Sequence, residues 1–203
     1  IVDDYTKAVL AAPMRATLSR LSTRCAVAVV SGRDAESVRG LVGLASIYYA
    51  GSHGFEIVGP GGPRDGLERG VEFLPEIDRA EARLREALSD IPGHAVDRKR
   101  FSMAVHYRRV QADQVPLIEA IVDRVQAEHP RLRKGIGKKV FRLQPDIDWD
   151  KGHAVLWILD RLERDGRHVV PVYVGDDATD EDALRALADS GLTLVVDDVK
   201  DRI

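Results

Sequence analysis

The chain has 203 residues, about one to one and a half domains at roughly 150 residues each, and its 44% apolar and 31% charged residues exclude an intrinsically disordered chain. With 17 Gly and 9 Pro it is not collagen-like, and a net charge of -3 argues against a dedicated nucleic-acid coat. The single cysteine, Cys25, cannot close an internal disulfide, and the longest apolar run, residues 25–30, is far short of the ~20 residues of a membrane helix. No signal-peptide pattern opens the chain, so a soluble, cytoplasmic protein is expected.

Leu10, Met14, Leu18 and Leu21 recur at helical spacing and predict a helix ending near Thr23. The Val-rich run 25–30, headed by Cys25, predicts a strand buried on both faces of a parallel sheet. Residues 34–42 read as the next helix and 47–50 as a second buried strand, closed by Gly51-Ser52-His53-Gly54. Gly59-Pro60-Gly61-Gly62-Pro63 is the strongest break, and the pattern changes after it. A helix to about Ser89 leads to strands near 94–97 and 101–107. A second helix, from Val115 to Val125, leads to strands at 131–134 and 140–143. From Asp150 the α/β pattern returns: a helix after Lys151-Gly152, a buried strand at 169–174, a helix around Leu184 and Leu187, and a strand at 192–196. The expected fold is therefore a doubly wound, Rossmann-like parallel α/β core over 1–58 and 145–203, interrupted by an inserted α+β cap domain over 59–144.

Ligands of an open α/β sheet bind beyond the carboxyl ends of its strands. Asp176, Asp177 and Asp180 follow a strand end, and a cluster of hard oxygen donors there suits Mg²⁺. Helix capping at Asp180 is the plainer alternative, but one residue would suffice for it. Ser31 stands at a strand-to-helix turn that favours an anion, although a Ser before a helix is more often just a cap; Lys151 precedes a helix whose dipole opposes it. Hydroxyl, ammonium and carboxylates together make a kit for phosphoryl transfer. The inserted region is locally basic, with Arg98, Lys99, Arg100, Arg108 and Arg109, then Arg131, Arg133, Lys134, Lys138, Lys139 and Arg142. Its few aromatics and the acidic chain disfavour nucleic acid; a cap closing over an anionic substrate accounts for it better. Asp146-Ile147-Asp148-Trp149-Asp150 opens like a calcium loop but has Lys151 and Trp157 where Gly and Glu are required.

Val30-Ser31-Gly32-Arg33, Tyr49-Ala50-Gly51-Ser52-His53-Gly54-Phe55-Glu56, Val105-His106-Tyr107-Arg108, Asp150-Lys151-Gly152 and Gly175-Asp176-Asp177-Ala178-Thr179-Asp180-Glu181-Asp182 occur in that order. Over nearly its whole length the chain resembles the trehalose-6-phosphate phosphatases, of the haloacid-dehalogenase-like superfamily. The resemblance implies Mg²⁺-dependent hydrolysis of trehalose 6-phosphate to trehalose and phosphate through an aspartyl-phosphate. It makes Ser31 a phosphate ligand, Lys151 the third-motif lysine, and Asp176 the direct metal ligand supported by Asp177 and Asp180. Arg33, Gly51, Ser52, His53 and Gly54 would face the substrate, and Lys99, Arg108 and Lys138 would grip the sugar. A trehalose-6-phosphate synthase partner or fusion also belongs to that picture, with no membrane and no nucleic acid.

The chain departs from the family's pattern in two ways. The nucleophile's DxDGT segment does not occur, and Ile1-Val2-Asp3-Asp4 is similar to the stretch just C-terminal to that segment. Both ends are thus expected to be cut, and this chain alone to be inactive and to melt below about 50 °C. In the cap, Arg142 and Asp97 stand where the family usually has Glu. Those departures leave open an inactive sugar-phosphate-binding or regulatory domain, or a phosphatase for a different sugar phosphate.

Overall fold

The computed structural model describes residues 9–137, 139–164, 166 and 168–196. The chain divides into two units, Ile1–Glu68 with Trp149–Ile203, and Arg69–Asp148. The first unit begins with α1 (Ala12–Ser22), which carries Pro13 in its first turn, where the missing N–H is harmless. Strand β1 (Ala28–Val30), α2 (Ala35–Val42) and β2 (Tyr48–Gly51) form a parallel crossover, with Ala28 opposite Tyr48 and Val30 opposite Ala50. Strands β3 (Glu56–Gly59) and β4 (Gly62–Glu68) then extend the sheet as an antiparallel hairpin, in the order β1-β2-β3-β4. The Gly-Pro break expected to open a second domain at residue 59 is this hairpin's turn, and the units divide after Glu68 instead.

The second unit contains α3 (Leu74–Leu88), β5 (Ala95–Lys99), β6 (Ser102–His106), α4 (Val115–Glu128), β7 (Leu132–Gly137) and β8 (Val140–Pro145). Its four strands form one antiparallel sheet, β5-β6-β8-β7. Met103 and Val105 of β6 and Phe141 and Leu143 of β8 meet Ile77, Leu84 and Leu88 of α3 and Ile118, Val122 and Val125 of α4. Period-2 strands and period-3.6 helices thus present their apolar sides to one core.

The first unit resumes with α5 (Lys151–Arg164), β9 (Val172–Gly175), α6 (Glu181–Ala186) and β10 (Leu192–Val195). Tyr48 and Ala50 of β2 pack on Ala154, Ile158 and Leu162 of α5, while Ile47 and Tyr49 pack with Val38 and Val42 of α2. Helices therefore cover both sides of β2, as a Rossmann-like α/β layer requires. Strands β9 and β10 form a separate parallel pair. Among the described residues, no strand pairs with the second edge of β1 or of β9.

Three sequence expectations change here. Cys25 lies exposed in the turn after α1 rather than heading a strand, and β1 is only half-buried. Val170, Val172 and Val174 are 70%, 61% and 57% exposed, so the run expected to be a fully buried strand is buried through Tyr173 alone on one face. The reason is lateral: apolar sequence buries both faces only where neighbouring strands carry the covering layer past it.

Candidate functional site

The site grows from the carboxyl ends of β1 and β2. The Ser31 N–H donates to the Ala50 carbonyl at 2.8 Å, and the Ser31 hydroxyl oxygen accepts the Arg33 N–H at 3.1 Å. Across from it, Ser52 (φ 51°) and His53 (φ 58°) are consecutive non-glycine residues in the left-handed region. Such backbone costs about 1–3 kcal/mol per residue and persists only where its surroundings over-determine it. Here the Ser52 N–H donates to the Arg33 carbonyl at 2.6 Å and the His53 N–H to the Ser31 carbonyl at 3.0 Å. The buried Ser52 hydroxyl shares its proton between Asp34 Oδ1 at 3.0 Å and Glu56 Oε2 at 2.9 Å. The His53 ring lies over Gly32, where an added Cβ would come within 2.8 Å of Cε1 and Nε2.

The turn also meets the start of α5. The Trp149 indole N–H donates to the Gly54 carbonyl at 2.7 Å, and Asp150 Oδ1 accepts the His153 N–H at 2.9 Å as the cap of α5. Lys151, the first residue of α5, is only 4% exposed. Its Nζ donates to Asp180 Oδ1 at 2.8 Å and stands 3.5 Å from Asp177 Oδ1. The Tyr173 hydroxyl donates to the same Asp180 Oδ1 at 2.7 Å, and Oδ2 accepts the N–H groups of Asp176 (3.1 Å) and Asp177 (3.2 Å). Those four bonds use the roughly four acceptor sites of a carboxylate. Asp177 Oδ1 is likewise occupied, by Thr179 N–H and hydroxyl and by the Asp180 N–H.

Electrostatics follow the contacts. Burial works to raise the Asp180 carboxyl, but the hydrogen bonds from Lys151 and Tyr173 outweigh it and hold Asp180 below its ordinary value. Burial likewise opposes, and Thr179 and Lys151 overcome, the shift that holds Asp177 low. Burial first, then donation to Asp180, raises the Tyr173 phenol well above its ordinary value, so it remains a donor. The result is an ionised carboxylate hub that fixes one ammonium beside two outward-facing aspartates.

The structure thus brings together Ser31, Arg33 and Gly51 to Gly54, and joins this group through Gly54 and Trp149 to the Lys151, Asp177 and Asp180 cluster. Asp176 is exposed, and among the described residues its carboxylate makes no hydrogen bond or ion pair. No group of three His, Cys, Asp or Glu side chains converges as a metal cage among the described residues. Asp176 and the second oxygen of Asp177 are the donors at hand, a pair that fits Mg²⁺, which takes one or two carboxylates and fills the rest with water and phosphate. Asp180 instead supports the loop that carries them.

Lys99, in the second unit, ends β5 opposite Ser102, and Arg108 is exposed after β6. Lys138 lies outside the described residues, as do Asp3 and Asp4. Part of the basic sequence there is ordinary pairing: Arg98 with Asp78 and Glu81, Arg131 with Glu76, Lys134 with Glu119 and Asp123. Sequence reasoning assigned no role to Glu56, Asp34, Trp149 or Tyr173. Glu56 and Trp149 stand inside or beside recognisable motifs, but no spacing rule says that a carboxylate four residues on will reach back to a serine.

A crystal structure of a trehalose-6-phosphate phosphatase related protein superposes with a TM-score of 0.78 at 24% identity, covering 97% of this chain and 80% of that one. The C-terminal domain of Candida albicans trehalose-6-phosphate phosphatase gives 0.68 at 22%, covering 93% and 69%. The fold is that of the haloacid-dehalogenase-like α/β proteins with an inserted second unit. The sequence profile of the trehalose-phosphatase family matches residues 1–201, and the chain belongs to that family. It is 43% identical over 197 residues to the trehalose-phosphate phosphatases of Mycobacterium marinum and Mycobacterium tuberculosis, covering 97% of this chain and 50% of each relative. The chain therefore spans about half the length of these curated relatives.

Proposed function

We propose that the protein to which this chain belongs hydrolyses trehalose 6-phosphate to trehalose and inorganic phosphate. The observation that carries the reading is the buried Lys151 ammonium, held by Asp180 at the start of α5, just after the Trp149 that bonds the Gly54 carbonyl. Asp180 offsets the cost of desolvating this lysine at a helix N-terminus, and an ammonium has three donors, which leaves one for a phosphate oxygen. In this reading Ser31 and Lys151 hold phosphate oxygens, and Arg33 and the Gly51 to Gly54 turn orient the ester. Lys99, Arg108 and Lys138 donate to sugar hydroxyls. Asp176 and Asp177 are the residues to hold Mg²⁺, which would neutralise charge on the phosphate. The nucleophile is an aspartate that attacks phosphorus and releases trehalose, and water then cleaves the acyl phosphate. The family's DxDGT segment does not occur in these 203 residues, so that role is assigned to none of them.

The test is phosphate release by the full-length protein from trehalose 6-phosphate, sucrose 6-phosphate and glucose 6-phosphate, beside a Lys151→Ala control. Trehalose 6-phosphate should be preferred, and the control should lose about 10²–10³-fold in kcat, the scale of one lost charge-stabilising donor. Equal release by wild type and control would overturn the reading. One observation favours a different sugar: Asp97, Ala104 and Arg142 lie side by side across β5, β6 and β8, so a cation occupies the row beside the one acid. Preference for another ester in the same panel would select that second reading.

A further inference from the structure

We propose that Glu56 is a positioning residue: through Ser52 and the first N–H of α2, its buried carboxylate clamps the left-handed Ser52–His53 turn onto the Ser31–Arg33 loop. Glu56, on β3, is 7% exposed and Ser52, in the turn, 3% exposed. Oε2 accepts the Ser52 hydroxyl at 2.9 Å and the Ala35 N–H at 3.3 Å. Ala35 is the first residue of α2, whose own N-cap residue, Asp34, makes no side-chain cap. Asp34 is turned instead to Ser52, at 3.0 Å. One carboxylate from β3 thus does the capping that Asp34 forgoes, and both acids hold the same hydroxyl.

The arrangement has a direction. Glycine would adopt φ 51° at position 52 without strain, yet a serine stands there. Its hydroxyl links the two carboxylates, while its N–H and that of His53 bond the carbonyls of Arg33 and Ser31. The His53 ring is thereby pressed on Gly32, next to the proposed phosphate ligand. The consequence for phosphate rests on the function proposed above; the clamp itself does not.

The experiment compares Ser52→Gly, Glu56→Ala and Glu56→Gln in the full-length protein. It reads amide hydrogen exchange at Ser52 and His53, affinity for inorganic phosphate by calorimetry, and melting temperature. Ser52→Gly should melt within about 4 °C of wild type, because relief of strain offsets the lost hydrogen bonds. Its exchange at both amides should nevertheless rise, and its phosphate affinity fall, each about tenfold, the scale of one lost charge-assisted hydrogen bond. Glu56→Ala should behave likewise, and Glu56→Gln, which keeps an acceptor oxygen, should restore most of both. Unchanged exchange and affinity in Ser52→Gly, or no rescue by glutamine, would overturn the clamp. If wild type binds no phosphate, the phosphate reading fails, and exchange alone decides: faster exchange supports the clamp and unchanged exchange overturns it.

Discussion

The second unit gathers its buried apolar side chains into one cluster beneath one continuous sheet, whereas the first divides them among three clusters and two sheets. In the second unit the sheet's core-facing residues, such as Met103 and Leu132, are fully buried. In the first, Leu192 and Leu194 of β10 are 53% and 45% exposed, like Val172 and Val174 of β9. Around β9 a small apolar cluster of Tyr173, Val155, Ala183 and Leu187 is joined by a polar one, the Asp180 hub with its lysine, phenol and two backbone donors. The contrast teaches that a unit can rest on one apolar interior, or on several small ones supplemented by a few buried ionised groups. Each kind fails in its own way.

The largest effect should come from breaking the hub. Lys151→Met leaves Asp180 ionised and buried without its cation, which costs about 3–5 kcal/mol. Denaturant unfolding should show that loss in the first unit, and a loss below about 1 kcal/mol would remove the hub from the comparison. Leu84→Ala, in the apolar core of the second unit, should cost about 2–5 kcal/mol by the same assay. Tyr173→Phe removes one of four donors to Asp180 and should cost about 1–3 kcal/mol. Acidification should then separate the units. Burial lowers the His106 imidazole, with Lys99, Arg108 and Arg142 adding to the shift and Asp97 opposing it. The unfolded chain therefore binds that proton first, and the second unit should lose stability as pH falls through about 6.5, a dependence His106→Gln should flatten. Asp177 and Asp180 are held low, so their contribution is complete above about pH 4 and is lost only as pH falls below it. Smallest of all, Val174→Thr on the exposed face of β9 should change stability by no more than about 0.5 kcal/mol.

The same contrast explains what could be read from sequence. Helices α3, α4 and α5 announced themselves through apolar periodicity, and β6 through strict alternation, because each turns a single face to a buried core. Ser31, Lys151 and the Asp176 to Asp180 run were legible because unusual chemistry stood at strand and helix ends. Hairpin β3–β4 was hidden: Gly-Pro-Arg-Asp-Gly-Leu-Glu has no strand periodicity, and its pairing with β3 is a tertiary fact. The role of Asp180 was hidden too, since sequence shows three carboxylates but not which of them turns inward to meet Tyr173. Glu56 was invisible as a clamp because its partners come from two other turns.

Gly152 has a consequence of its own. A Cβ there would lie 2.6 Å from the carbonyl oxygen of Asp182, so α5 begins against the first turn of α6 with no room for any side chain. The spacing of the two helices is therefore set by the residue next to Lys151, whose ammonium must reach Asp180 at the head of α6. Fold and reactive group share one dimension. A larger residue at position 152 would push the helices apart and so withdraw the ammonium from Asp180.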